Sequence, residues 1–147
     1  MINSKLKATG MVDVVVTGSD GSIKEHFKVE NLVVDAGLAY IASRMKDATA
    51  TAMTHMGLGT STTAAAGGQT DLVSQTASRV ALSSTTVTSN AVQYITIFTA
   101  GVCTGAITEA GIFNASTSGT MLARTVFSVV NKGASDAMTI TWTITIA

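Results

Sequence analysis

The side chains able to do chemistry are few in this chain and widely spaced. His26 and His55 have no cysteine or carboxylate at the spacing a metal site requires, so both read as surface or core histidines. Cys103, in Gly101-Val102-Cys103-Thr104-Gly105, lacks a CxxC partner and a nearby histidine. A thiol nucleophile needs a base within reach, and the expectation is a small buried or turn residue. Gly57-Leu58-Gly59 and Gly67-Gly68 resemble a phosphate loop only in glycine content, because no lysine follows them; turn geometry is the expected role. No Gly-x-Ser-x-Gly elbow occurs. Glycosidase chemistry asks for two carboxylates about 5 to 9 Å apart. Asp13 and Glu25 on a first hairpin are the candidates, and two acids on neighbouring strands arise readily by chance. No catalytic, cofactor-binding or metal-ligating residue is assigned.

Glu109 and Arg124 stand out among the charged residues. They lie in two strand-like segments, 107–113 and 121–127, joined by a turn at 116–119. If Phe113 pairs with Thr120, Glu109 faces Arg124 directly across the ladder; a register shifted by one residue sets them diagonally or apart. The expected role is a cross-strand ion pair that fixes register, worth about 0.2 to 1 kcal/mol at an exposed site.

The elements that must position these residues follow from hydrophobic period, which is mostly two. In 137–146, Met138, Ile140, Trp142, Ile144 and Ile146 alternate with four threonines, the pattern of a strand with one buried and one hydroxylated face. Segments 11–17 and 23–29 flank Asp20-Gly21 and predict a hairpin. One helix is expected over 35–46, with Asp35 as N-cap and Leu38, Ile41, Ala42 and Met45 as its apolar stripe. Further strands are expected at 54–59, 79–87, 92–99, 107–114 and 121–130, with a small-residue loop at 60–70. About eight strands and one short helix, at regular spacing with turn chemistry between them, predict a mainly β chain. Its expected form is an antiparallel, jelly-roll-like β-sandwich in a single domain over 1–147, with a possible short N-terminal arm over 1–9.

Composition narrows the classes further. Of 147 residues only 12% are charged, with a formal net charge of zero, while Ser and Thr supply about a quarter. A basic footprint for nucleic acid is absent. Despite 46% hydrophobic residues and a mean hydropathy of +0.41, no apolar run approaches the roughly 18 to 20 residues of a spanning helix. Aromatic residues at 5% are too few for the two girdles of a membrane barrel. Lys5 and Lys7 precede no apolar h-region, so no leader is expected, and a single cysteine agrees with synthesis in a reducing cytoplasm. A neutral, hydroxylated surface favours association.

Several segments together carry a resemblance. They are Met56-Gly57-Leu58-Gly59-Thr60-Ser61-Thr62-Thr63, Thr108-Glu109-Ala110-Gly111-Ile112-Phe113, Met121-Leu122-Ala123-Arg124, Asn131-Lys132-Gly133 and Met138-Thr139-Ile140-Thr141-Trp142, preceded by the segment 31–45. Their order resembles that of a group of small structural proteins of tailed bacteriophages, with "GxGTxTT", "EAGxF", "LxR" and "TxTW" motifs. Ala64-Ala65-Ala66 stands where that group usually carries proline. The resemblance implies a non-enzymatic virion protein made in the host cytoplasm: a capsid cement or decoration protein that binds the major capsid protein and its own copies as a homodimer or homotrimer. A tail or fibre component is the alternative, and a small β-sandwich glycan hydrolase the remotest. No cofactor, nucleic-acid partner or membrane is implied.

Overall fold

Two five-stranded sheets realise the period-two pattern. The computed structural model describes residues 6–46 and 51–147. In the first sheet β1 (Ala8–Thr17), β2 (Ile23–Glu30), β6 (Ser84–Thr88), β7 (Ala91–Phe98) and β10 (Ala137–Ile146) lie in the order β2-β1-β10-β7-β6. In the second, β3 (Leu32–Val33), β4 (His55–Gly59), β5 (Gln75–Ala81), β8 (Gly105–Phe113) and β9 (Met121–Lys132) lie in the order β3-β9-β8-β4-β5. Every pairing is antiparallel, and the first strand runs beside the last. The chain is a mainly β sandwich, with ten strands rather than about eight and one helix, α1 (Asp35–Arg44), among the described residues.

The core fills the space between the sheets. Val12, Val14, Ile140 and Trp142 of the first sheet and Met56, Leu58, Ile107 and Ile112 of the second belong to one cluster and are fully buried. The threonines that alternate with the β10 apolar residues point the other way and are half-exposed, as the sequence predicts. The second sheet is buried on both faces at its centre, along β4, β8 and the first five residues of β9. A smaller cluster of Val34, Leu72, Phe113 and Met121 lies on its far side, and β8 is buried without interruption from Ile107 to Phe113. Burial without alternation, here including Thr108 and Glu109, marks a strand covered on both faces.

Three expectations are corrected by packing. The segment 79–87 is not one strand, because the chain changes sheets at Leu82 and Ser83. Leu82 donates its N–H to Thr54 beside the second sheet, while Ser83 donates to Ile95 in the first. Asp35 is not the N-cap of α1; Val34 holds that position without a side-chain bond, and Asp35 is the acidic residue of the first turn. The apolar stripe is also rotated. Ile41 of that stripe packs against the core beside Tyr40, but Leu38 and Met45 are 47% and 81% exposed, and the helix meets the second sheet through Gly37, where it lies on the Leu122 carbonyl.

Of the expected arm over 1–9, residues 1–5 lie outside the described residues. Lys7 exchanges both backbone hydrogen bonds with Ala147, and Ala8 and Thr9 begin β1.

At the opposite end, the β9–β10 connection holds two buried charged residues. Lys132 donates from Nζ to the carbonyls of Thr99 at 3.0 Å and Asp136 at 2.7 Å. The Asp136 carboxylate accepts the Gly133 N–H at 2.8 Å and pairs with Lys24 at 2.8 Å. The Lys24 hydrogen bond first, and the Gly133 N–H second, hold the Asp136 carboxyl below its ordinary value near 3.8. A lowered folded pKa contributes stability that is complete above the unfolded value and lost as pH falls through the folded one. Asp136→Asn is therefore expected to be destabilising at pH 7, with its difference from wild type shrinking as pH drops below about 4. Urea unfolding at pH 7 and at about pH 3 checks this; a difference unchanged by pH would remove the carboxylate from the account.

Candidate functional site

The charged centre of the molecule lies on the covered face of the second sheet, where Glu109 and Arg124 are both fully buried. The strand register differs from the expected one. Phe113 pairs with Met121, and a bulge between Ile112 and Phe113 takes up one residue of β9, so Gly111 pairs with Arg124 and Glu109 with Val126; a second irregularity follows between Ile107 and Glu109. Glu109 and Arg124 are thus diagonal neighbours rather than directly opposed. The pair is buried rather than exposed, which changes its energetics from a surface salt bridge to a desolvated one.

Arg124 Nε donates to Glu109 Oε2 at 2.9 Å. Its Nη2 lies 2.7 Å from the same oxygen, held by charge rather than by a well-aimed hydrogen bond. The remaining capacity of both side chains is directed at the 60–74 loop. Glu109 Oε1 accepts the N–H groups of Ser74 at 2.7 Å and Ser61 at 3.3 Å, and Oε2 accepts that of Val73 at 3.1 Å. Arg124 Nη1 donates to the Thr63 carbonyl at 2.8 Å and to Gln69 Oε1 at 3.1 Å. Thr108 adds a bond to the Ser61 carbonyl at 2.8 Å, and Thr60 closes the loop's neck on the Ser74 carbonyl at 2.9 Å. The result is a compact Ω-type loop with its ends together and its base anchored.

Small residues permit this close approach. Gly57 and Gly59 lie inside β4 rather than in a turn, which corrects their expected role. A Cβ at Gly59 would overlap the Glu109 carboxylate and the Ser74 carbonyl, and one at Gly57 would press on Leu72. Gly67 accepts the Asp35 N–H at 2.9 Å through its carbonyl, so the loop also rests on the start of α1.

Arg79 is the residue that sequence reasoning missed. It is 8% exposed, its guanidinium carbon sits 3.4 Å from the centre of the Phe113 ring, and Nη1 donates to the carbonyls of Ala115 at 3.0 Å and Ser118 at 2.8 Å. Nη2 reaches Asp71 at 3.2 Å. Arg79 thereby ties the loop, β5 and the β8–β9 hairpin together. The signal that pointed to it was a lone cation inside a β-prone segment of a charge-poor chain.

The other candidates do not converge. His26 lies on the exposed face of the first sheet with Nε2 2.6 Å from Asp13 Oδ1, and His55 is half-buried with Nδ1 2.8 Å from Thr54 Oγ1. Asp13 pairs with Lys28, whereas Glu25 pairs with Val16, whose side chain is in the core; Asp13 and Glu25 therefore occupy opposite faces. Cys103 is buried at a turn with φ 52, donates weakly to Thr76, and has its thiol pushed up by burial. No group of three or more His, Cys, Asp or Glu suited to a metal ion occurs among the described residues.

The outer face of the first sheet is rich in hydroxyl and aliphatic side chains. Thr139, Thr141 and Thr143 run down its middle, flanked by Val15 and Met11 of β1 and by Ile97, Ile95 and Gln93 of β7. Its charges lie on the β1–β2 side, on Asp13 directly opposite Thr141 and on His26, Lys28 and Glu30 of the edge strand. A cleft of about 380 Å³ opens between the sheets beside α1, lined by Tyr40, Ile41, Val87, Val92, Tyr94 and Ile146. Burial, with Tyr40 adding to it, pushes the Tyr94 phenol up to about 12, so it stays protonated at neutral pH.

No protein-family model, curated protein or solved structure matches the chain.

Proposed function

We propose that this protein is a non-enzymatic structural component of a tailed-phage virion, a cement or decoration protein that binds the major capsid protein and its own copies on the head surface. One observation carries the reading. The "GxGTxTT" segment, distant in the chain, meets the "EAGxF" and "LxR" strands of the β8–β9 hairpin at Glu109 and Arg124, and what they build there is an anchored, outward-facing loop. A carboxylate with both oxygens accepting hydrogen bonds, shut away from solvent, serves as a tether for backbone rather than as a proton carrier. The threonine and aliphatic face of the first sheet adds support, because docking it desolvates hydroxyls instead of charges. On a shell, many equivalent copies make weak individual contacts sufficient.

The reading is tested on purified particles of the encoding phage. Hundreds of copies per particle on a stained gel, together with earlier rupture on heating or osmotic shock when the protein is missing, are the expected results. A few to a few dozen copies would move it to the tail, and none would overturn the virion assignment. Equal resistance with and without the protein would sink the stabilising role.

A further inference from the structure

A strand at the end of a sheet presents a row of unpaired N–H and C=O groups, and proteins ordinarily blunt it with charge, bulges or brevity. Three of the four edges here are blunted. β2 carries Lys24, Glu25, His26, Lys28 and Glu30; β3 has two residues; β5 is bulged against β4, has Ala77 at φ 58 and contains Arg79. β6 has none of these devices. Its sequence Ser84-Thr85-Thr86-Val87-Thr88 has no charge, its register with β7 is unbroken, and all five residues are exposed, Val87 at 70%. Among the described residues no strand lies on its outer side.

We propose that β6 pairs with β6 of a second copy of this chain across a two-fold axis through Thr86, joining two five-stranded sheets into one of ten. The hairpin that joins β6 to β7 is closed by two residues, Ser89 and Asn90, so Thr86 and Thr88 direct their backbone groups at β7, and those of Thr85 and Val87 face outward. An antiparallel partner centred on Thr86 then sets Thr85 against Val87 of the second copy, twice over, with hydrogen bonds in both directions. Thr86 faces its own copy and Ser84 faces Thr88. Every opposed pair is uncharged and β-branched or hydroxylated, the combination that favours cross-strand contact. Pairing also covers Val87 at the mouth of the Tyr40–Tyr94 cleft and extends the uncharged threonine face across the axis. A five-residue strand is about 17 Å long, so the interface falls below the roughly 1,200 Å² of a standard complex and the dimer depends on concentration. The inference supplies the route for the self-association in the proposed role and rests on that role in this respect alone. Its test uses purified protein, so a monomer overturns the interface without touching the capsid-binding reading.

Sedimentation velocity and light scattering from about 10 μM to about 1 mM should show a monomer–dimer equilibrium. Thr86→Lys and Thr86→Glu each place like charges directly opposite one another and should weaken dimerisation by at least about tenfold. An equimolar mixture of the two variants should restore a dimer that native mass spectrometry identifies as mixed. Hydrogen exchange at the Thr85 and Val87 amides should slow as wild-type concentration rises, a readout that needs no variant. A wild type monomeric at about 1 mM, a dimer indifferent to both variants, or a mixture that stays monomeric would each overturn the proposal.

Discussion

Glu109→Gln is expected to lower unfolding stability by about 3 to 5 kcal/mol, the usual effect of removing one partner of a buried ion pair. For a chain of this size the loss corresponds to roughly 10 to 20 °C in Tm. The magnitude follows from what the carboxylate touches. Its two oxygens accept three backbone N–H groups and the Arg124 guanidinium, and both side chains are fully buried. An amide in its place puts a second donor among donors and leaves Arg124 as an uncompensated buried charge. Native-state hydrogen exchange separates the local from the global effect: the amides of Ser61, Val73 and Ser74 should lose protection well before those of β1 and β10. Arg124→Met should produce a loss of the same order, and the double variant should fall short of the sum of the two by about 1 to 3 kcal/mol. Additive losses, or a loop that keeps its protection in Glu109→Gln, would show that the pair does not anchor the 60–74 segment.

Gly37→Ala is expected to destabilise by about 2 to 3 kcal/mol, against the gain of up to about 1 kcal/mol that the same change brings in an ordinary helix interior. Gly37 is the buried residue of α1, and a Cβ there would overlap the Leu122 carbonyl and crowd its Cα. The obstacle is backbone of β9, whose Leu122 carbonyl accepts the Val34 N–H at 3.3 Å and whose neighbours Met121 and Ala123 are paired to Phe113 and Ile112, so the helix must lift to make room. Lifting it opens the contact of Val34 with Leu72, Phe113 and Met121. Chemical denaturation of wild type and variant checks the sign directly, and a stabilised Gly37→Ala would show that α1 is not seated on that carbonyl.

These two expectations also mark where one-dimensional pattern stopped being informative. Glu109 and Arg124 were legible as partners because each is a lone charge in an apolar strand at matching distances from a turn. Their diagonal geometry and burial were not, because a bulge adds a residue without altering the apolar alternation that identifies a strand, and because the covering loop's donors lie 35 to 48 positions away in sequence. The helix was legible, but its buried face was not: Gly37 contributes nothing to a hydrophobic stripe, and its value comes from the missing Cβ. The break at Leu82 and Ser83 is illegible for a related reason. Val80-Ala81-Leu82 and Thr85-Thr86-Val87 are both strand-forming and no Gly, Pro or Asn separates them, while the hydrogen-bond partners change sheets.

What the sequence by itself determined is the class and chemistry of the surfaces. Period-two alternation in β10 requires a strand with one buried face, and its threonines require the other face of that strand to be hydroxylated, because side-chain direction along a strand is set locally by the pleat. Only the tertiary structure decided which strands end up at edges, which face the 60–74 loop covers, and that Glu109 and Arg124 hold it there. Those outcomes depend on contacts between segments distant in the chain, where the closing of loops and the fit of side chains against a particular backbone select the partner, and no local period records that selection.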